Sequence, residues 1–424
     1  MRYTARFAGK RIGAALAAAA AVLLAQPTEP RAAEPLTIGF DMSLTGGIAA
    51  NGKAALLAMQ IWQAQVNAKG GLLGREVKFV YYDDQSNPAQ VPGIITKLLD
   101  VDKVDFLLGG SGTNMVAPAM PLVIQRHLIN LSLFALDVNS EFHYDRYFSM
   151  IPAGGPHPKE SFTEGFFRVA ETLATKPKTI AIAGADAEFS KNAMDGARAL
   201  IKEAGYQIVY DHAYPPATID YTPIARAIGA ANADLVLVCS YPPDTVGMVR
   251  AVREIGLKAQ LFGGGMVGTQ TTTFKTQLGP LMNGIVNYDF WLPWTHFASP
   301  EAKTFLAQYQ EKSPAEQIDL LGYYLPPFAY ARMEVLQQAI EATQSLDQDK
   351  LADYLRSHTF KTVAGDIAFG PNGEWAEART LEVQFQGVEG SGLDQFKTPA
   401  TEPILWPPAE KTGTLRLPYS EAQY

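Results

Sequence analysis

The chain has 424 residues, 47% of them hydrophobic, with 35 Lys and Arg against 43 Asp and Glu and a formal charge of −8. A chain this long with a single cysteine has no disulfide of its own, so large apolar cores must hold it, and the length amounts to two or three domains. The acidic balance argues against nucleic acid or an anionic membrane surface as partner.

At the start of the chain, Arg2, Arg6, Lys10 and Arg11 precede an Ala-rich apolar run over 12–25 and a short polar stretch ending at Ala32 and Ala33. This is the layout of a secretory signal. The apolar run is too short for a comfortable membrane span. Cleavage is expected after Ala33, with a cut near Ala25 as the alternative, and no Cys follows the run to carry a lipid anchor. Residues 1–33 hold five Lys/Arg and one Asp/Glu, so their removal takes the charge from −8 to −12. Cys239, in the apolar run 235–239, then faces an oxidising compartment without a partner and reads as a buried, unreactive thiol.

From residue 36 the apolar pattern alternates. Strands are predicted near 37–41, 77–83, 105–108 and 129–131, and helices near 52–68, 89–101 and 115–126. The same order recurs, with strands near 179–184, 207–212, 235–239 and 260–263 and helices near 191–204, 221–231 and 245–255. Two such units predict an α/β protein of two doubly wound, mainly parallel-sheet lobes. Each lobe turns the loops at the C-terminal ends of its strands toward a ligand cleft. After a strand near 285–290 come helices near 300–312, 324–343 and 349–357, then short β-like pieces near 366–369 and 381–386. A chain that returns to complete both lobes has this form. Crossings at 151–155, 290–294 and 359–365 would make a three-crossing hinge. The expected organisation is a signal peptide at 1–33, lobe 1 at 34–152 plus 291–360, and lobe 2 at 153–290 plus 361–398. The Pro-rich segment 399–424 is expected as an extended surface tail.

The stretch 104–118 carries the most chemistry. A short apolar strand runs into Gly109, Gly110, Ser111, Gly112, Thr113 and Asn114 and opens a helix. Helix N-termini carry unpaired N–H groups and the positive end of the dipole, so this turn predicts an anion cradle. Its glycines admit a ligand closely, and Ser111 and Thr113 add hydroxyls. The alternative is an ordinary turn capped by Ser111, Thr113 or Asn114.

Other signals point to structure. Gly263 to Gly268 match Gly-x-Gly-x-x-Gly with Asp289 downstream, a dinucleotide-oxidoreductase pattern, but Thr269 to Thr273 open a helix poorly. Asp83 and Asp84 would point to opposite faces of a strand, and Ser86, Asn87 and Pro88 after them read as a helix cap. The six histidines show no zinc spacing, and no metal or cofactor is expected. Trp291, Trp294, Tyr323 and Tyr324 read as core packing, with stacking on a ligand as the alternative.

A set of short motifs resembles one family. Ile38-Gly39, Ser43 to Gly46 and Asn51-Gly52 are similar to its first strand and loop. Val66 to Gly71, Gly74, Tyr82 to Asp84 and Pro88 resemble its next block. Glu188 to Ser190, Gly196, Asp220 to Thr222, Ala233 to Val236 and Gly256 to Gln260 fall at its second-lobe spacings, and Phe360, Thr362, Gly365, Phe369 and Gly373 at its last crossing. By these the chain resembles the type I periplasmic solute-binding proteins of ABC importers, in the leucine/isoleucine/valine-binding branch, from about residue 36 to 373.

The resemblance implies a monomeric periplasmic carrier, not an enzyme, that binds one small solute between its lobes and hands it to a membrane permease. The same fold also serves ligand sensors that dock on signalling receptors. It places Thr113, flanked by Gly112 and Asn114, where a hydroxyl holds the ligand carboxylate, and Phe134, Ala135 and Leu136 where backbone groups complete that hold. Leu136 replaces a Thr there, and Asn51 replaces an aromatic of the first loop. Phe189 and Tyr241 match second-lobe tyrosines that cover the ligand. Gly265 stands near a Glu that pairs with the ammonium of amino-acid ligands, and a buried charge left without its partner costs roughly 3–5 kcal/mol. The expected ligand is therefore an aromatic or apolar carboxylate facing Phe134, Phe189, Tyr241 and Met266, with Gly264 and Gly265 leaving room. A branched-chain or other amino acid is the alternative, with Asp186, Glu188 or Asp289 supplying the missing charge.

Overall fold

The computed structural model describes residues 34–422 together with Met1, Arg2 and Thr4, so the expected signal segment lies, apart from those three positions, outside the described residues. The chain divides into a unit of Met1–Glu34 and a unit of Pro35–Tyr424, and the latter holds everything that follows.

Strand β1 (Leu36–Met42) is almost wholly buried because it is central, with parallel partners β2 (Val77–Asp83) and β3 (Phe106–Leu107) on either side. Ser111 bridges to Leu133, which carries the layer on to β4 (Asn130–Ser132) and its parallel partner β5 (Tyr147–Ser149). Helix α1 (Ala49–Ala68) follows β1, and α3 (Thr113–Gln125) follows β3. Between them the helix expected over 89–101 is composite. Its α-helical part α2 (Val91–Thr96) lies between a 3-10 turn at Pro88–Gln90, capped by the Asn87 side chain, and a π turn at Lys97–Val101. The short α4 (Asn139–Phe142) precedes β5.

The second layer repeats the plan. In chain order come α5 (Pro158–Glu171), β6 (Thr179–Ala185), α6 (Glu188–Ala204), β7 (Gln207–Tyr214), α7 (Thr222–Ala231), β8 (Leu235–Ser240), α8 (Pro242–Glu254), β9 (Leu261–Met266), α9 (Thr272–Leu278) and β10 (Val286–Asp289). The strands pair in parallel in the order β7, β6, β8, β9, β10. In both layers the first strand lies between the second and the third, so the winding reverses beside it. This leaves a crevice at the C-terminal strand ends. Cys239 in β8 is fully buried, and burial pushes its thiol up to about 12, in keeping with an inert side chain.

After β10 the chain returns to α1, on which α10 (Pro300–Glu316) and α11 (Leu325–Thr343) pack, with α12 (Gln348–Ser357) against α11. The hairpin of β11 (Phe360–Thr362) and β12 (Gly365–Ile367) still rests on α11, and Ser149 N donates to Gly373 O at 2.9 Å. The third passage therefore falls later than 359–365, and the chain enters the second layer at β13 (Leu381–Gln384), antiparallel to β10.

Three elements depart from the sequence reading. Helix α5 buries Phe162, Phe166 and Phe167, yet it follows a Gly- and Pro-rich stretch that reads as a crossing. Helix α9 does open at Thr272, its N–H satisfied by the buried Asp319 at 2.9 Å instead of by a local cap. The segment 399–424 is no mere surface tail. It supplies β14 (Ile404–Trp406) at the sheet edge, lays Tyr419 on Phe262 with ring centroids 4.9 Å apart, and buries Glu402 against Lys275. These are single long-range contacts, and they leave no periodic trace.

Candidate functional site

A cavity opens where the two crevices face each other. From the first layer it takes Ser43 after β1, Ile48, Asn51 and Gly52 around the start of α1, and Ser111 to Met115 around the start of α3. From the second it takes Phe189 at the start of α6, Tyr241 at the start of α8 and Val267 after β9. Phe134, Ile151, Phe162, Tyr324 and Leu325 complete the wall. No lining residue carries a charge.

The cradle forms, with its glycines in different roles from those expected. A Cβ on Gly109 would stand 2.4 Å from Asn130 Oδ1 and one on Gly110 2.9 Å from Asp41 Oδ2, so both admit neighbours packed beneath the turn and not a ligand. Gly112 alone lines the cavity. Its φ of +89° with ψ of 144° starts α3, a backbone region used essentially by glycine alone that costs other residues about 1–3 kcal/mol. No side chain caps α3. The Met115 and Val116 N–H groups return to Gly112 O at 3.0 Å, while those of Thr113 and Asn114 have no acceptor among the described residues.

The side chains expected as caps act elsewhere. Thr113 Oγ1 accepts from Leu136 N at 3.0 Å, which leaves its hydroxyl proton for the cavity. Asn114 Oδ1 accepts from Phe189 N at 3.0 Å and from Tyr241 Oη at 2.8 Å, joining α3 to the starts of α6 and α8. Leu136 O in turn accepts from Asn192 Nδ2 of α6 at 2.8 Å.

Beneath the cradle lie two buried ionisable side chains, Asp41 and Arg332. Asp41 is fully buried with neither oxygen hydrogen-bonded, and burial, then the Asp84 carboxylate, push its pKa up to about 7. Arg332 of α11 donates through Nη1 to Gly109 O at 2.8 Å, and burial lowers its pKa to about 10.

Of the residues expected in the site, Asn51, Gly112, Thr113, Asn114, Phe134, Phe189 and Tyr241 come together around the cavity. Four expected residues do not line it. Ala135 and Leu136 are fully buried, their backbone groups turned to Ser149 Oγ, Thr113 and Asn192. Gly265 lies inside β9, where a Cβ would meet Cys239 Sγ at 2.9 Å, so the small residue serves strand packing and not ligand room. Met266, also fully buried, gives its place on the wall to Val267, because the strand expected near 260–263 runs on to Met266. Asp186, Glu188 and Asp289 stand outside the lining. Asp186 pairs with Lys191 at 2.7 Å, and Asp289 accepts from Phe290 N at 2.6 Å.

The sequence reading missed Ser43, Ile48, Gly52, Met115, Ile151, Phe162, Val267 and Leu325, and it assigned Tyr324 to the core. Tyr324 is both. It stacks on Phe290 at 6.1 Å, meets Phe134 edge-on at 5.2 Å and shares a 2.9 Å hydrogen bond with Tyr288. A usable signal existed for Ser43 and Gly52, which follow the first strand, and for Ile151, at a crossing.

The sequence pattern of the periplasmic binding protein family matches residues 35–385. A leucine-, isoleucine-, valine-, threonine- and alanine-binding protein of Pseudomonas aeruginosa is 24% identical over 349 residues, 81% of this chain and 88% of that protein. Among solved structures, a solute-binding protein of an ABC transporter from Rhodopseudomonas palustris HaA2, in complex with p-hydroxybenzoic acid, superposes with a TM-score of 0.71 at 22% identity. The match covers 84% of this chain and 94% of that one. The leucine-binding protein LivK of Thermotoga maritima gives a TM-score of 0.71 at 19% identity, covering 83% and 96%.

Proposed function

Since this chain belongs to the periplasmic binding protein family, in its leucine/isoleucine/valine-binding branch of ABC-importer substrate-binding proteins, we propose that the solute it delivers is a small carboxylate with an aromatic or apolar body and not a zwitterionic amino acid. The observation that carries this reading is the lining. An uncapped helix N-terminus with the Thr113 hydroxyl offers donors to a carboxylate, aromatic and aliphatic side chains offer an apolar wall, and no lining carboxylate stands ready for an ammonium group. The Rhodopseudomonas palustris proteins found with p-hydroxybenzoic and 3,4-dihydroxybenzoic acid lend support from the same fold.

In this reading the first layer with α1, α3 and α10 to α12 forms one lobe and the second layer with α5 to α9 the other. The ligand touches both, so its binding free energy becomes closure free energy. The protein acts as a monomer after export and meets a membrane permease. Among the described residues no helix is long and apolar enough to cross a membrane. The test is calorimetry on the purified protein, preceded by mass spectrometry of any molecule it retains. Binding of benzoate- or phenylpropenoate-type acids is expected. Tight leucine or valine binding with no response to these acids overturns the reading.

A further inference from the structure

Three passages of chain join the two layers: 150–157 between β5 and α5, 290–299 between β10 and α10, and 368–380 between β12 and β13. The first and third run side by side. Arg379 N donates to Pro152 O at 2.7 Å, Gly155 N to Trp375 O at 2.7 Å and Asn372 Nδ2 to Gly155 O at 3.1 Å. A stack of side chains brings in the second. The Arg379 guanidinium lies 4.6 Å from the ring centroids of both Phe297 and Trp375, and its Nη2 donates to the carbonyl of Ala364 in the β11–β12 turn. Arginine suits such a place because its planar head offers faces to aromatic rings and donors at its rim. Beside the stack, Glu410 accepts from His296 N at 3.0 Å through one oxygen and meets His296 Nδ1 with the other. Glu410 is buried and belongs to the segment that edges the second layer through β14, beyond the stretch 35–385 that the family pattern matches.

We infer that Arg379 is the pin of the hinge and that the C-terminal segment straps it through Glu410, together holding the two lobes in the arrangement that encloses the cavity. The inference rests on the two-lobe reading above and not on the identity of the solute. A line of contacts runs from Ala364, beside α11, through Arg379 and Phe297 to His296 and Glu410, beside β14. It crosses the third and second passages on the way. Swinging the lobes apart turns a few residues in each passage, and the line connects residues of that kind. Opening therefore slides Phe297 off the guanidinium or breaks the hold of Glu410 on His296. A partly desolvated cation over an aromatic face is attracted more strongly than an exposed one. Burial works against the Arg379 charge, and the nearby Asp366 and Glu410 carboxylates favour it. Neither Arg379, Phe297, His296 nor Glu410 lines the cavity, so the cluster acts on the position of the lobes and not on the solute. Its loss shifts the equilibrium toward open lobes, which lowers affinity for any solute that needs both.

The experiment places spin labels at Lys53→Cys and Ile219→Cys and reads the distance across the cleft mouth by double electron–electron resonance, in the purified protein without added solute. Both positions are exposed, Ile219 shares the mouth with Ile48 just before α1, and the buried Cys239 stays unlabelled. Arg379→Met and Phe297→Leu are each expected to lower the ratio of closed to open lobes about threefold to tenfold, seen as growth of a longer distance. Glu410→Gln is expected to act in the same direction. Phe297→Tyr keeps a ring over the guanidinium and is expected to match the wild type. A role in stability alone would lower the unfolding midpoint without moving the distance. Phe297→Leu serves where Arg379→Met does not fold. Asn114→Ala, which removes the acceptor shared across the cleft, is the control for lobe movement. If it lengthens the distance while the Arg379 and Phe297 variants keep the wild-type distribution, the pin is overturned and the two-lobe reading stands. An unchanged distance in Glu410→Gln alone overturns the strap. If no variant moves the distance, the two-lobe reading falls with the pin.

Discussion

Thr113 serves fold and cavity with one oxygen. Its Oγ1 accepts the Leu136 N–H at 3.0 Å, and its hydroxyl proton remains available for donation into the cavity that the residue lines. Thr113→Ala is expected to weaken carboxylate binding by about 1–3 kcal/mol, the range for a hydrogen bond to a charged group. Calorimetry on the folded variant reads it, with Thr113→Ser keeping most of the affinity. Unchanged affinity in Thr113→Ala removes the residue from the carboxylate hold. The hydroxyl was legible in the sequence because it opens a helix after a strand. The position of Gly265 was legible too, and its meaning was not. A glycine says only that a side chain is unwelcome, and whether a ligand or Cys239 occupies the space depends on a strand pairing far along the chain.

At the scale of elements, the cavity is made by helix starts that follow strand ends, and Asn114 ties three of them together. It accepts from Phe189 N on α6 and Tyr241 Oη on α8 while sitting in the first turn of α3. Burial pushes the Tyr241 phenol well above its ordinary value, so it stays a donor across the physiological range. Asn114→Ala removes the shared acceptor and is expected to raise the ligand dissociation rate about tenfold, in line with about 1–1.5 kcal/mol for a buried hydrogen bond. Stopped-flow fluorescence measures the rate. A rate equal to that of the wild type shows that the three helix starts hold together without this bond. Most elements were readable from alternation alone, because the strands of both layers are apolar and the turns between them carry Gly, Asn and Pro. Helices α5 and α9 and strand β14 were not. Their positions are held by the aromatic wall, by Asp319 and by the Lys275–Glu402 pair, contacts made between residues distant in sequence.

For the folded body as a whole, buried carboxyl groups set the pH dependence of stability. Burial pushes Asp41 and Glu334 up to about 7 and raises Glu374 and Glu382 well above the ordinary carboxylate value. These groups hold protons in the folded state that the unfolded chain has released. Their contribution is full below about pH 4 and is lost as pH rises through about 7. Asp83, Asp105 and Asp234 have the opposite sign. Burial, the largest single effect, pushes them up, but hydrogen bonds from Thr45, Thr37, Thr179 and neighbouring N–H groups together outweigh it and hold them low, so their contribution is lost as pH falls below about 4. Maximum stability is expected between about pH 4 and 6, and thermal unfolding across that range and on either side measures it. Asp41→Asn and Glu334→Gln should flatten the fall toward about pH 8. A midpoint that rises steadily from about pH 5 to 8 contradicts the assignment.

The sequence by itself determined the alternating α/β plan, the Gly-rich strand-to-helix turn that opens a helix at 111–114 and the family resemblance, because these rest on local periodicity, on turn and helix-start chemistry and on short motifs at fixed spacing. Tertiary structure alone decided which residues line the cavity. It turned Gly265 and Met266 into strand packing and brought Phe162, Tyr324 and Leu325 to the wall. It also set Asp41 and Arg332 beneath the cradle. The physical reason is common to all of these. Strand order and helix packing bring together residues that are far apart in the chain, and no local pattern encodes which of two faces of a strand or helix will meet a cavity and which a neighbouring side chain.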